Sequence, residues 1–176
     1  MNQNLVTTDD PVPDTIETVA ADMIVDKNLD DFVTFKVGGQ LFGIPILMVQ
    51  DILRLEDIAL IPLAPSKVRG SINLRGAIVT VISVRNCLGL GERENEHGEG
   101  HDDTDMGVTI EQGGNLYTLL VDSIGDVVNI SPKSFESTPS TMDAKWRNFS
   151  KGVYRLDSEL MVVLDVERVL VGTPSD

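Results

Sequence analysis

Val33-Thr34-Phe35-Lys36-Val37-Gly38-Gly39-Gln40-Leu41-Phe42 and Val108-Thr109-Ile110-Glu111-Gln112-Gly113-Gly114-Asn115-Leu116-Tyr117 are one phrase written twice, 75 residues apart. Each opens with β-branched and aromatic residues, which favour extended backbone. Each then sets a Gly-Gly pair where a two-residue hairpin needs positive φ, and a second apolar run returns. The same shift lays residues 33–55 over 108–130 without a gap, and Asp51 falls on Asp126. A second shift, of 82 residues, lays 69–85 over 151–167 and matches Gly70 with Gly152 and Leu74 with Leu156. The change of shift is a seven-residue insertion in the second copy, within 131–148. Self-similarity at a fixed spacing is read before any single element, because it sets the architecture. The plainer account is two β-rich stretches that share turn chemistry. Two long ungapped matches in the same order favour tandem duplication, with copies near 32–90 and 106–171.

The rest of each copy is also strand language. Residues 77–84 form a nearly continuous apolar run (Ile78, Val79, Val81, Ile82), which reads as a strand buried on both sides. Leu160–Leu164 repeats it. Pro62 and Pro65 mark a loop, since proline cannot donate to a ladder. Helix is scarce: Asp165 caps a short terminal helix over 166–171 that stops at Gly172. Many short strands in two copies predict an all-β fold with short helices, as two small barrels packed together.

The chain has 176 residues, 41% of them hydrophobic and 24% charged, enough for one globular domain. Its net charge of −14 is concentrated. Residues 1–31 carry eight acids and one base, and residues 92–105 carry seven acids and one base. Few apolar groups and dense like charge predict a flexible acidic N-terminal tail over 1–31 and an acidic loop over 91–105. The acidic total argues against general nucleic-acid or anionic-membrane binding. No apolar stretch approaches the roughly 18 residues that span a bilayer, so no direct membrane insertion is expected. Met1-Asn2-Gln3-Asn4 lacks the basic start of a secretory signal. The single cysteine, Cys87, excludes an internal disulfide framework and fits a reducing cytoplasm.

Residues 32–37, Gly43-Ile44-Pro45-Ile46, Val49-Gln50-Asp51-Ile52, Ile61-Pro62 with Ala64-Pro65, and Gly70 followed by Ile72-Asn73-Leu74-Arg75-Gly76 resemble the CheW-like domain family from about residue 31 to 172. The resemblance implies two five-stranded, SH3-like barrels over 32–172 that act as a scaffold without enzymatic chemistry or cofactor. It implies a cytoplasmic chemotaxis adaptor that joins chemoreceptor cytoplasmic tips to the regulatory domain of the histidine kinase CheA. Recruitment to membrane-associated signalling arrays, and contact with other copies of the same family, follow from that role. The kinase-facing surface is not assigned. Two positions depart from the family pattern: Leu60 replaces a basic residue before Ile-Pro, and Ser83 replaces an Asp before the hydrophobic-Arg pair.

By that resemblance, Val49, Asp51, Asn73, Leu74 and Arg75 are the candidate receptor-binding residues. Strand alternation puts Val49 and Asp51 on one face, an apolar residue beside an acid. Arg75 lies in turn composition ahead of Gly76, so its guanidinium projects from a rigid corner and suits a partner carboxylate or carbonyl. It can equally be a solvated turn arginine, or pair internally with Asp51. Val49 can be a core residue. Arg75 corresponds to Asp157 in the second copy, so the two copies should not bind equivalent partners. The family commonly carries Glu at the position of Asp51.

Enzyme readings are weaker. His97 and His101 lie four apart among Glu96, Glu99, Asp102 and Asp103, but Gly98 and Gly100 disfavour the helix that would aim them at a metal. No residue sets up an oriented base for a nucleophile, and Cys87 reads as a packed thiol. The alternative function is a single-stranded nucleic-acid module, with Lys67, Arg69, Arg75 and Arg85 clustered beside stacking aromatics.

Overall fold

The β-branched runs that flank each Gly-Gly pair do pair as hairpins. The computed structural model describes residues 30–91 and 105–171. Strand β1 (Asp30–Val37) turns at Gly38-Gly39 into β2 (Gln40–Pro45), and β6 (Asp105–Gln112) turns at Gly113-Gly114 into β7 (Asn115–Val121). All four turn glycines have positive φ, between 58° and 80°. This is the backbone that two-residue hairpins need and that side chains resist. The remaining strands are β3 (Val49–Leu55), β4 (Val68–Leu74), β5 (Ala77–Ser83), β8 (Ser123–Ile130), β9 (Phe135–Glu136), β10 (Ser150–Arg155) and β11 (Leu160–Leu164). Helices α1 (Val84–Cys87), α2 (Ala144–Asn148) and α3 (Val166–Val171), with short 3-10 helices at Ile46–Met48 and Pro132–Ser134, complete the described elements.

The fold class expected from sequence, all-β with short helices in two packed units, is observed. Its assembly differs from two contiguous barrels. One sheet runs β8-β1-β2-β11-β10-β9 and the other β3-β6-β7-β5-β4. Each copy's opening hairpin therefore sits in the sheet completed by the other copy. Strand β1 pairs antiparallel with β8, and β2 runs parallel to β11. Strand β6 pairs antiparallel with β3, and β7 runs parallel to β5. The barrel limits of 32–90 and 106–171 describe the duplication but not the sheets. The physical reason lies in the short Pro45–Val49 connection, which turns β3 away from β2 and onto the neighbouring sheet.

No ladder joins β3 to β4 or β8 to β9 among the described residues. The chain itself spans both gaps. Leaving β3, it bridges Ala59 to Ser71 on β4; leaving β8, it forms β9 against β10. At both crossings the partner strand carries a glycine beside a register shift: Gly70 and Gly152. A Cβ on Gly70 would collide with the Ala59 carbonyl oxygen, and one on Gly152 with the Phe135 ring and the Glu136 carbonyl oxygen. Both glycines are there for close backbone approach.

Three apolar clusters follow from strand alternation. Phe32, Leu41, Tyr154, Met161 and Val163 fill the first sheet, and Leu55, Ile72, Val79 and Val81 fill the second. The intervening positions point between the sheets. There Val33, Phe35, Phe42 and Ile44 meet Ile82, Val108, Ile110, Leu119, Val162 and Leu164 in the principal core.

Three expectations shift at their edges. Asp30 and Asp31 belong to β1, opposite Ile130 and Asn129, rather than to the acidic tail. Asp105 opens β6 rather than closing the acidic loop. Ala77 and Ile78 are exposed, although 77–84 read as buried on both sides. The β7 ladder begins only at Thr80, so they are paired on the β4 side alone. The tail over 1–29 and the stretch 92–104, with His97 and His101, lie outside the described residues. No described helix is long and apolar enough to cross a membrane.

Candidate functional site

The β4–β5 corner holds one of two positive-φ residues other than glycine among the described residues. Leu74 pairs with Ala77, which leaves Arg75 and Gly76 as a two-residue turn. Both have positive φ, 52° for Arg75 and 89° for Gly76. Gly76 takes this conformation freely, but the left-handed region costs an L-residue roughly 1–2 kcal/mol. The Gly76 amide donates to Asn73 Oδ1 at 2.9 Å, so the Asn73 side chain stabilises the turn it precedes.

From this corner the Arg75 side chain is 80% exposed, and its Nη2 donates to Asp51 Oδ2 at 2.9 Å. The other Asp51 oxygen accepts from the Ile52 amide at 2.9 Å. The internal pair weighed from sequence is thus present. It joins β3 to the far end of β4, the two edges that no ladder closes. Asp51 sits beside a register shift against β6, between Val49 and Asp51, where one extra residue bends the strand. An exposed ion pair of this kind is worth about 0–1 kcal/mol, so stability alone gives little reason for the turn's strain.

The five candidates therefore separate. Arg75 projects, Asp51 holds its guanidinium, and Asn73 shapes the turn. Val49 is half-buried against the principal core, and half-buried Leu74 lies against the Val79 cluster. Strand register adds Ile78, which sequence reading placed in the core. It stands opposite Asn73 and is 82% exposed. The apolar run itself gave no signal that set it apart. A second apolar exposure, Leu60, Ile61 and Leu63, lies in the loop between β3 and β4, with Leu63 at φ 60°.

The second copy lacks this corner. Its loop 156–159 closes with a bond from the Leu156 amide to the Glu159 carbonyl and contains no positive φ. Asp126, the counterpart of Asp51, is bound through its backbone: the Thr34 hydroxyl donates to its carbonyl oxygen at 2.6 Å.

Other polar groups are committed within the chain. Lys67 Nζ donates to the Leu170 carbonyl at 2.6 Å, at the end of α3. Arg85 Nη1 donates to Asp122 Oδ2 at 2.7 Å, and that oxygen also accepts from the Gly38 amide. Lys67, Arg75 and Arg85, all named for a nucleic-acid surface, are each engaged within the chain. Of the aromatics, Phe35 and Phe42 stack in the core, Phe32 and Phe135 pack on Tyr154, and Trp146 packs on Phe42. Burial pushes the Cys87 thiol up to about 11, with nearby Lys67 only partly opposing, so it is no ready nucleophile. Among the described residues, no group of three His, Cys, Asp or Glu side chains is placed to hold a metal.

Residues 31–173 match the family model described as the CheW-like domain. A chemotaxis protein CheW from Treponema pallidum is 28% identical over 147 residues, covering 84% of this chain and 85% of that protein. The chemotaxis protein CheW of Klebsiella aerogenes is 24% identical over 140 residues, covering 80% and 81%. A crystal structure titled scaffolding protein TtCheW, from Thermoanaerobacter tengcongensis, superposes with a TM-score of 0.70 at 26% identity. It covers 83% of this chain and 95% of that one.

Proposed function

The chain belongs to the CheW-like domain family, and from that premise we propose that it is a non-enzymatic chemotaxis adaptor coupling chemoreceptor tips to the histidine kinase CheA. The observation that carries the reading is the family match over residues 31–173, which takes in nearly all of the described chain. Relatives named chemotaxis protein CheW, and a solved neighbour titled a scaffolding protein, support the same role. The adaptor is cytoplasmic and is recruited to membrane-associated receptor arrays.

In this reading the β4–β5 corner contacts the receptor. Receptor tips are helical hairpins, and a helix docking on a protein surface needs apolar contact with polar groups to fix its register. Ile78 supplies exposed apolar area beside Asn73. The Arg75 guanidinium is already oriented by Asp51 and meets a receptor carboxylate or carbonyl by sharing or exchanging that partner. Loss of so exposed an internal pair costs little, so exchange is cheap. Calorimetry with the regulatory domain of CheA and with a receptor tip fragment tests the proposal. Saturable binding to both is expected, and binding to neither would remove the function while leaving the fold intact.

A further inference from the structure

Within residues 30–91 the ladders are β1–β2 and β4–β5, and β3 pairs with neither. Within residues 105–171 they are β6–β7, β10–β11 and β9–β10, and β8 pairs with none of these. Isolated two-stranded hairpins are at best marginal in water, and a lone strand has no partner at all. Four further ladders, β1–β8, β2–β11, β3–β6 and β5–β7, all run between the halves. They make two sheets out of these pieces. The principal core is divided in the same way, with Phe35, Phe42, Ile82 and Val84 from one half and Ile110, Leu119, Val162 and Leu164 from the other.

Polar contacts follow suit. Lys36 reaches Glu159 at 3.3 Å, Gln40 Nε2 donates to the Leu160 carbonyl at 2.7 Å, and Lys67 and Arg85 reach Leu170 and Asp122. Every one of these joins residues 30–91 to residues 105–171. Every ladder and core contact named here is made by residues 30–91 and 105–171.

We propose that the two sequence halves are obligate folding partners: each is the surface the other fits. The largest ladder set within either half is β9-β10-β11, whose β9 is only two residues long, so neither half holds a stable sheet alone, and the severed halves remain one specific non-covalent complex. This holds whether or not the chain is a chemotaxis adaptor. A partner that fits half of this chain is thus the complementary half, whether from the same molecule or from a second copy that exchanges it.

The test inserts a site-specific protease sequence between Gly91 and Asp105 of the full chain and cleaves the folded protein. Both fragments should leave a sizing column together at the elution volume of the uncut chain, and separate in urea. After cleavage the melting temperature should climb with protein concentration, because unfolding now releases two molecules; before cleavage it should not. Removing urea from an equimolar mixture should restore the circular dichroism of the uncut chain, whereas either fragment alone stays unfolded. The proposal is overturned by fragments that part or precipitate under native conditions. It is equally overturned by a single half that folds alone with a concentration-independent transition.

Discussion

Arg75 occupies a conformation that a glycine would take without strain, in a turn whose other residue is already glycine. Among the described residues its guanidinium bonds to an edge-strand carboxylate, in a pair too exposed to stabilise the fold by much. Backbone strain and guanidinium therefore make separable contributions. Arg75→Ala removes the charge and keeps the strain, so thermal stability should stay within about 1 kcal/mol while receptor-tip affinity falls. Arg75→Gly removes both, and should raise stability by up to about 1 kcal/mol with the same loss of affinity. Denaturant titration beside calorimetry on the receptor tip separates the two effects. A large loss of stability in Arg75→Ala would mark a structural arginine instead. At this scale the sequence was legible in part. Turn composition exposed Arg75, and both a partner contact and the Asp51 pair were in view. Ile78 was not legible, because an apolar run carries no mark of where its neighbouring strand begins.

The elements show why a duplicated sequence is easier to read than the sheets it builds. Gly-Gly hairpins are local, so their positions follow directly from the repeat. Which copy a hairpin joins depends on contacts dozens of residues away, and two similar copies offer two chemically similar docking sites. The glycines at the crossings show the same limit: Gly70 and Gly152 could be matched from sequence, but the backbone they admit could not. Gly70→Ala and Gly152→Ala should each destabilise by about 1–3 kcal/mol, since the Cβ meets a main-chain carbonyl oxygen at both positions and the Phe135 ring as well at Gly152. Urea melts check this, and wild-type stability in either variant would refute the close-approach argument.

Helix α1 gives a contrasting case. Ser83 departs from the family's usual Asp, yet its hydroxyl accepts from the Asn86 amide at 3.2 Å. Asp165 does the same for Arg168 at α3, also at 3.2 Å. Either residue type caps a helix well. Ser83→Asp should therefore leave the melting temperature nearly unchanged, whereas Ser83→Ala should cost about 1 kcal/mol, read by the same melts.

Across the whole molecule, the largest core lies between the sheets rather than within either one. Each sheet's own cluster contains four or five buried side chains among the described residues. A sheet that separated from its neighbour would expose Phe35, Phe42, Ile110 and Leu119 together, each buried to the point of 0% exposure. Burying one such side chain is worth roughly 1.5–3 kcal/mol, so parting the sheets would forfeit as much as a small domain's whole stability. The two units should consequently melt as one. Trp146, the single tryptophan of the chain, reports on this junction, with its ring 6.0 Å from that of Phe42. Its fluorescence and the far-ultraviolet circular dichroism should give coincident thermal transitions, with the calorimetric and van't Hoff enthalpies equal. Phe42→Ala should lower stability by about 3–5 kcal/mol and move both signals together. If fluorescence moved while the circular dichroism midpoint stayed, the sheets would be independent units, and a core shared between the halves would no longer account for the fold.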